Sequence, residues 1–175
     1  FSFSVPVLSP FAEFDFSALP ELIGGFILGP IGAIEIIVVK IGLKLLFKGS
    51  SSLLTGEAMN LILSLAYVLP ALFYYRKHRT KKGAIIGLAL GTVISVIVSI
   101  FTNIYVIFPI YIKLYGMNWE GILEMCSAVN PWITSIPTMV AFSIVPFNLI
   151  SRVVTSLITL LVYKKLSIPM KKFAN

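Results

Sequence analysis

Several residue types that build soluble functional sites are nearly missing from this sequence. Its 175 residues include one cysteine, Cys126, and one histidine, His78. A single cysteine cannot form an internal disulfide, and a single histidine cannot supply a cluster of metal ligands. The G-x-x-x-x-G-K-[ST] pattern of nucleotide-binding loops is also missing. If the protein moves a solute with ATP, the ATPase must therefore be another chain.

Charged residues are scarce as well. They make up 12% of the chain, whereas hydrophobic residues make up 58% and the mean hydropathy is +0.98. Soluble domains carry roughly 25% charged residues, so this composition excludes an ordinary soluble domain. Five or six membrane helices of about 20 residues would account for most of the length. We therefore expect a single all-α integral membrane domain over residues 1–175.

Basic residues outnumber acidic ones, 14 to 7, and most of them lie in two stretches. Residues 76–82 and 164–172 contain no acidic residue and hold nine basic ones: Arg76, Lys77, Arg79, Lys81, Lys82, Lys164, Lys165, Lys171 and Lys172. Basic loops of membrane proteins face the cytoplasm, so we expect both stretches inside. Apolar spans flank both stretches closely, which disfavours a nucleic-acid surface.

Uncharged runs and turn signals divide the chain into five predicted membrane helices, at about 18–29, 31–47, 57–75, 83–110 and 146–164. The pair Gly29-Pro30 separates the first two, because glycine followed by proline is a strong turn signal. The segments 1–17, 48–56 and 111–145 are predicted to lie outside the cell.

An odd number of helices places the two ends of the chain on opposite sides of the membrane. With the basic C-terminus inside, Phe1 is outside, which is an awkward start for a chain without a signal peptide. We therefore expect a further helix before Phe1 that crosses from the cytoplasm, so that these five helices belong to a six-helix bundle.

Polar side chains inside a bilayer need partners. In the fourth predicted helix, Gly83, Gly87 and Gly91 form a row that indicates close helix packing. A four-residue row drifts by about 40° at each step, so Asn103 lies about half a turn around the helix from Gly83. Asn103 is therefore not merely the end of the glycine row.

The last predicted helix has one polar face, made of Asn148, Ser151, Arg152, Thr155 and Thr159. These residues follow helical spacing, and such a face must turn away from lipid. Arg152 lies about 9 Å below the outer end of its helix. It either extends its head group to the surface, pairs with a carboxylate such as Glu57, or contacts a ligand.

The charges in the second and third predicted helices have structural and functional interpretations. Thr55 would cap the third helix, and Glu57 would complement its positive end. Glu57 and Asn60, three residues apart, could also both point into a cavity at the outer surface. A structural pair or a partner contact explains Glu35 and Lys40 better than a ligand site, because a spacing of five fits one helix face poorly.

Catalysis and metal binding find no support. His78 belongs to a predicted cytoplasmic loop and Cys126 to a predicted outer loop, so no base lies near a nucleophile. The aromatic residues of segment 1–17 could form an interfacial belt or a lid over a flat ligand. They are Phe1, Phe3, Phe11, Phe14 and Phe16.

Five short motifs occur in a particular order along the chain. They are Phe14-Asp15-Phe16-Ser17 with Pro20, Phe26-Ile27-Leu28-Gly29-Pro30, Thr55-Gly56-Glu57 with Asn60, Asn103 ahead of Pro109, and Pro146-Phe147-Asn148. Each motif is weak alone, but the order and spacing from about Pro6 to Leu166 resemble the riboflavin-binding S component of energy-coupling factor (ECF) transporters. The resemblance implies six membrane helices and an outer vitamin site built from the loops after helices one, three and five.

The resemblance also implies partners and site residues. Riboflavin would be the transported ligand rather than a cofactor, and a membrane T component and two cytoplasmic ATPase subunits would be partners in a bacterial inner membrane. Asn103 and Asn148 would hydrogen-bond the flavin ring, and Phe11-Ala12-Glu13 would cover it. An S component for another vitamin and a lipid-modifying membrane enzyme are the alternatives.

The chain departs from the family pattern at two places. The lysine often found three residues after the second asparagine is Ser151 here, followed by Arg152. The aspartate often seen after Phe-Ser is Ala18. These departures leave open which of Ser151 and Arg152 serves the carbonyl edge of the flavin.

Overall fold

The computed structural model describes residues 2–4, 13–49, 54–116 and 118–173, and most of these are helical, with one small sheet and short connections. The helices are α1 Ala18–Lys48, α2 Thr55–Lys77, α3 Lys81–Thr102, α4 Phe108–Tyr115, α5 Trp119–Val129, α6 Ile136–Met139 and α7 Val145–Phe173. A first π segment, Asn103–Ile107, joins α3 to α4, and a second π segment, Val140–Ile144, joins α6 to α7. Strands β1 Ser2–Ser4 and β2 Glu13–Asp15 pair antiparallel.

Helix α1 is a hairpin with two arms, 18–28 and 30–48. Gly29 has φ +85° and ψ −176°, a conformation that is essentially restricted to glycine, and Pro30 follows it. A Cβ atom added at Gly25 would contact the Cβ of Ala33, and the side chain of Lys40 reaches that of Glu21. Residues this far apart can meet only if the second arm folds back along the first. The structure thus has its break at the Gly29-Pro30 pair, where the sequence predicts a turn.

Four stretches of helix are long and apolar enough to cross a membrane: Ala18–Phe47, Thr55–Lys77, Lys81–Leu114 and Ile136–Val162. The first contains both arms of the α1 hairpin, which the sequence predicts as two helices. Large apolar side chains are exposed on these helices, such as Ile31 at 72% and Phe47 at 84%. Such exposure suits a protein whose solvent is lipid.

Two helix starts differ from the sequence prediction. The last membrane-length helix begins at Ile136 rather than near Pro146. Pro137 is compatible with this start, because it lies in the first turn of the helix, where a missing backbone N–H costs little. Helix α2 begins at Thr55 itself, and Leu54, with φ 69°, is its N-cap without a side-chain cap. The predicted Thr55 cap is therefore wrong, since Thr55 already lies within the first turn.

The chain forms two compact units, and each has its own apolar core. The first unit draws on Phe1–Asp15 and Val96–Ser151, and its core consists of Phe108, Ile122, Cys126, Ile133, Met139 and Ile144. The second unit draws on Phe16–Ser95 and Arg152–Asn175, and its core includes Leu22, Ile37, Tyr67, Leu72 and Leu88. That residues 1–175 act as one membrane domain stays a prediction.

The predicted close packing of the glycine row is present within the second unit. A Cβ atom at Gly87 or Gly91 would collide with a backbone carbonyl oxygen of α2, that of Ala71 or Tyr67 respectively. Glycine lets the two backbones approach to this distance.

Candidate functional site

Asn103 and Asn148 have similar surroundings within the first unit. Asn103 is the first residue of the first π segment, and Asn148 follows the second π segment by four residues. The Nδ2 of Asn103 donates to the backbone oxygen of Ser99 at 2.7 Å. The Nδ2 of Asn148 donates to the backbone oxygen of Ile144 at 2.9 Å. Each side-chain amide is therefore held against its own helix by one hydrogen bond.

Each of these two amides lies in or close to a π segment. In a π turn the backbone N–H bonds to the carbonyl five residues earlier, as Phe108 does to Asn103 and Val145 does to Val140. This widens the helix locally, and such turns are frequent at functional sites. Among the described residues neither side chain has a further hydrogen bond, so each amide keeps its acceptor oxygen and one N–H for a ligand.

Ser151 and Arg152 have different environments. Ser151 is 7% exposed and belongs to the first unit. Arg152 belongs to the second unit, where its guanidinium carbon lies 4.9 Å from the ring centroid of Tyr67. The hydroxyl of Tyr67, which is fully buried, donates to the backbone oxygen of Arg152 at 3.1 Å and lies 2.7 Å from the Oγ of Ser156. Spacing along the chain does not indicate this cation–π contact.

Glu57 and Asn60 lie at the start of α2, and both contact lysines of the second arm of α1. The carboxylate of Glu57 is 5% exposed and pairs with Lys44 at 3.4 Å. The Oδ1 of Asn60 accepts a hydrogen bond from Lys40 at 2.5 Å. The pairing of Arg152 with Glu57 stays a prediction.

Lys40 pairs with Glu21, not with Glu35. Its Nζ lies 2.5 Å from the Oε1 of Glu21, whereas Glu35 is exposed. Sequence reasoning missed this pair because the two residues lie on different arms of the hairpin. A signal was present: Glu21 and Lys40 are roughly equidistant from the Gly29-Pro30 turn, so an antiparallel hairpin places them side by side. Glu21 is also one helical turn after Ala18, the position where the resemblance implies an acid.

The outer segment is described only in part. Phe11 and Ala12 lie outside the described residues. Glu13 belongs to strand β2 and pairs with Ser4 of β1, while Phe14 pairs with Phe3. The covering role of Phe11-Ala12-Glu13 stays a prediction.

His78 and Cys126 lack catalytic surroundings. His78 is exposed and stacks on Tyr74, with ring centroids 4.6 Å apart. The Sγ of Cys126 is buried and donates to the Sδ of Met139 at 3.8 Å. Burial raises the pKa of the Cys126 thiol, so its nucleophilic thiolate form is disfavoured. Within the described part of the chain no three His, Cys, Asp or Glu residues are grouped to hold a metal ion.

Comparison with known proteins gives consistent matches over almost the whole chain. The model of the family described as "ECF transporter, substrate-specific component" matches residues 2–163. The "Riboflavin transporter RibU" of Staphylococcus aureus (strain TCH60) is 30% identical over 165 residues, covering 94% of this chain and 80% of that protein. The "Riboflavin transporter FmnP" of Bacillus subtilis (strain 168) is 28% identical over 166 residues, covering 94% and 82%.

A solved structure is similar as well. It is described as "Structure and mechanism of the S component of a bacterial ECF transporter" and matches with a TM-score of 0.72 at 29% identity. The match covers 97% of this chain and 86% of that chain.

Proposed function

The chain belongs to the family of ECF transporter substrate-specific components, and from this premise we propose that it binds riboflavin at the extracellular side for uptake. Proteins named as riboflavin transporters align with 94% of the chain, and this observation carries the proposal. The family consists of transporter components that bind a substrate, so the chain is not an enzyme, and riboflavin would be cargo rather than a cofactor. This also sets aside a lipid-modifying enzyme.

The chemistry of the two asparagines supports riboflavin as the ligand. The pyrimidine edge of the flavin ring alternates carbonyl acceptors with an N–H donor. A side-chain amide offers both a donor and an acceptor, and both Asn103 and Asn148 keep one of each. The ring is uncharged, so no basic cradle is needed, and its dimethylbenzene edge requires apolar cover. We assign the flavin edge to these two residues.

Further contacts to the ligand are proposed from the resemblance and from burial. Ser151 or Arg152 would replace the family lysine, and Glu57 and Asn60 would contribute polar groups from the start of α2. Phe11, Ala12 and Glu13 would cover the flavin from the outer segment.

The finer architecture is part of the same proposal. The two arms of α1, α2, the α3–α4 helix and the α6–α7 helix would be the second to sixth helices of a six-helix S-component bundle. The likeness to the solved S component supports this. The protein would be a multi-pass protein of a bacterial inner membrane, with residues 76–82 in the cytoplasm.

Transport would require partners. No nucleotide-binding pattern occurs in the sequence, and binding alone cannot concentrate a solute. A membrane T component and two cytoplasmic ATPase subunits would supply the energy.

A direct experiment is to purify the chain from bacterial membranes in detergent and record its absorption spectrum. We expect a yellow protein with a bound-flavin spectrum that riboflavin restores after the ligand has been stripped. An S component for a different vitamin would be colourless and would bind another water-soluble vitamin in competition assays. That outcome would overturn riboflavin as the ligand without touching the family membership.

A further inference from the structure

The short connection between α2 and α3, within the second unit, carries a dense group of basic side chains. Helix α2 ends at Lys77 and α3 begins at Lys81, so only residues 78–80 separate the two helices. The basic side chains in and beside this connection are all exposed: Arg76, Lys77, Arg79, Lys81 and Lys82. We call these residues the basic turn. Within the described part of the chain none of them pairs with an acidic side chain.

Hydrogen bonds hold the backbone of the basic turn in one conformation. The N–H of His78 donates to the carbonyl oxygens of Tyr74 and Tyr75, each at 3.1 Å, and the His78 ring stacks on Tyr74. The Oγ1 of Thr80 accepts from the N–H of Gly83 at 3.0 Å, and this contact caps the start of α3. The basic side chains therefore project from a compact turn, which lowers the entropic cost of binding a partner.

The helices balance the charges of the basic turn only in part. Arg76 and Lys77 lie in the last turn of α2, where the negative end of the helix favours a cation. Lys81 and Lys82 open α3 at its positive end, which disfavours a cation, and the first turn of α3 has no acidic residue. Like charges this close along the chain also repel one another. A negatively charged partner would therefore stabilise the basic turn.

Apolar surface adjoins the basic turn on both helices. Phe73, one helical turn before Lys77, is 54% exposed. Ile85 and Ile86 follow Lys82 within about one turn and are 45% and 43% exposed. Both helices are long and apolar enough to cross a membrane. The surface of each helix therefore changes from apolar to cationic within about 6 Å along its axis.

This change of surface favours a lipid headgroup as the partner. When the flanking apolar side chains lie in the hydrocarbon of a bilayer, the basic side chains, one turn away, lie at the depth of the headgroups. Anionic headgroups attract basic segments that adjoin a membrane helix. A soluble acidic protein would have to displace those headgroups to reach the basic turn. Free inorganic phosphate has the right charge but is not concentrated at this depth.

We propose that the basic turn binds the phosphate groups of anionic phospholipids and so anchors the connection between α2 and α3 at the membrane surface. The proposal rests on the part of the proposed function that makes the chain a membrane protein, and not on riboflavin as its ligand. A failed flavin assay would therefore leave it intact. Phosphatidylglycerol, which carries a net negative charge, is the probe, and phosphatidylcholine, which carries none, is the control lipid.

Native mass spectrometry of the full chain in a non-ionic detergent counts the bound lipids as either lipid is titrated. One basic side chain near an anionic surface contributes about fivefold in binding, and two on the same phosphate contribute about 25-fold. We expect phosphatidylglycerol to bind at least about 25-fold more tightly than phosphatidylcholine. Equal binding of the two lipids would overturn the proposal and favour an acidic protein as the partner of the basic turn.

Lys82→Gln separates the basic turn from the other charges of the chain. We expect it to weaken phosphatidylglycerol binding by about fivefold and to change phosphatidylcholine binding by less than about twofold. Lys82→Arg keeps the charge and should bind phosphatidylglycerol as the parent does. Lys113→Gln is the matched control, since it removes an exposed lysine of α4 in the first unit, and its affinity should stay unchanged. Equal losses in Lys82→Gln and Lys113→Gln would assign the effect to overall charge and overturn the proposal.

The salt dependence of the parent chain tests the proposal even if Lys82→Gln does not fold. Raising the ionic strength from about 0.1 M to about 1 M shortens the Debye length from about 10 Å to about 3 Å and screens exposed charges. The preference for phosphatidylglycerol should then shrink by about fivefold or more, whereas phosphatidylcholine binding should not change. A preference for phosphatidylglycerol that salt leaves unchanged would contradict the proposed contact.

Discussion

At the scale of single residues, the two asparagines are held in place by the helices that carry them. One N–H of each amide bonds back to the carbonyl four residues earlier, so the amide plane is oriented before a ligand arrives. Such preorganisation lowers the entropic cost of binding. The remaining donor and acceptor are what a flavin edge requires.

Replacing Asn103 or Asn148 with alanine should weaken riboflavin binding by about 1–3 kcal/mol, or roughly five- to 150-fold, because a buried group of the ligand loses its partner. Fluorescence titration measures the effect, and thermal unfolding checks the fold. Thr102→Val is the control, since the Thr102 hydroxyl also bonds back to its own helix, to Val98 at 2.8 Å. Parent-like affinity in both asparagine variants would refute the site assignment.

Arg152→Ala is expected to weaken riboflavin binding more than Ser151→Ala, because arginine resembles the family lysine in charge and reach. Arg152→Lys should be intermediate, since lysine keeps the charge but loses the contact of the guanidinium with the Tyr67 ring. The comparison uses the same titration. A larger effect of Ser151→Ala would assign the role of the lysine to the serine.

The residue types in the candidate site could be found from the sequence, but most of their partners were not predicted. Asn103 and Asn148 stand out because amides are rare in apolar helices. The Glu21–Lys40 pair follows only once the two arms are taken as a hairpin about the Gly29-Pro30 turn. The contact of Arg152 with Tyr67 depends on how two separate helices face each other, which spacing along one helix does not encode.

At the scale of elements, one glycine determines the path of α1. Gly29 adopts its positive φ angle with no neighbouring atom within 4 Å of an added Cβ atom. A side chain at this position would therefore cost free energy only because its backbone conformation is unfavourable, and not because of a clash.

Gly29→Ala should therefore destabilise the fold by about 1–3 kcal/mol, measured as a lower Tm in detergent. Gly42→Ala is the matched control, because that position also has no neighbour within 4 Å but lies within the helical second arm. Alanine is the better helix former, so this variant should be neutral or stabilised by up to about 1 kcal/mol. Equal Tm changes in both variants would contradict this account of the turn.

The type of each long element was predictable from hydropathy, whereas several boundaries were not. The run of uncharged residues indicates the third and fourth predicted helices directly. The last membrane-length helix begins earlier than predicted, at Ile136, and Pro137 is well tolerated there because it lies in the first turn. The π segments give no signal in hydropathy, since they shift the helix by a single residue.

At the scale of the whole molecule, the distribution of basic residues predicts how the chain is oriented in the membrane. The basic side chains of residues 76–82 are all exposed, and this segment connects two membrane-length helices. The expectation that it faces the cytoplasm can be tested with a thiol reagent that does not cross membranes.

Arg79→Cys should react with such a reagent only after the cells are opened, whereas Glu124→Cys in the predicted outer loop should react in intact cells. The parent chain is the control. Cys126 is buried and its thiol pKa is raised, so the thiolate fraction at neutral pH is small and background labelling should be low. Rapid labelling of Arg79→Cys in intact cells would reverse the topology.

The isolated chain in liposomes should bind riboflavin without concentrating it. Accumulation should require the T component, the two ATPase subunits and ATP together, because no part of this sequence matches a nucleotide-binding loop. Uptake of radiolabelled riboflavin measures the difference, with liposomes lacking ATP as the control. Sustained accumulation by the chain alone would contradict the proposed division of labour.

The contact between α2 and α3 also has a mechanical consequence. The carbonyl oxygens of Ala71 and Tyr67 lie directly against Gly87 and Gly91, in the space that a side chain would otherwise fill. A shift of one residue along α3, about 1.5 Å, would take the two glycines out of register with these oxygens. We therefore expect α2 and α3 to resist sliding past each other and to move together during transport.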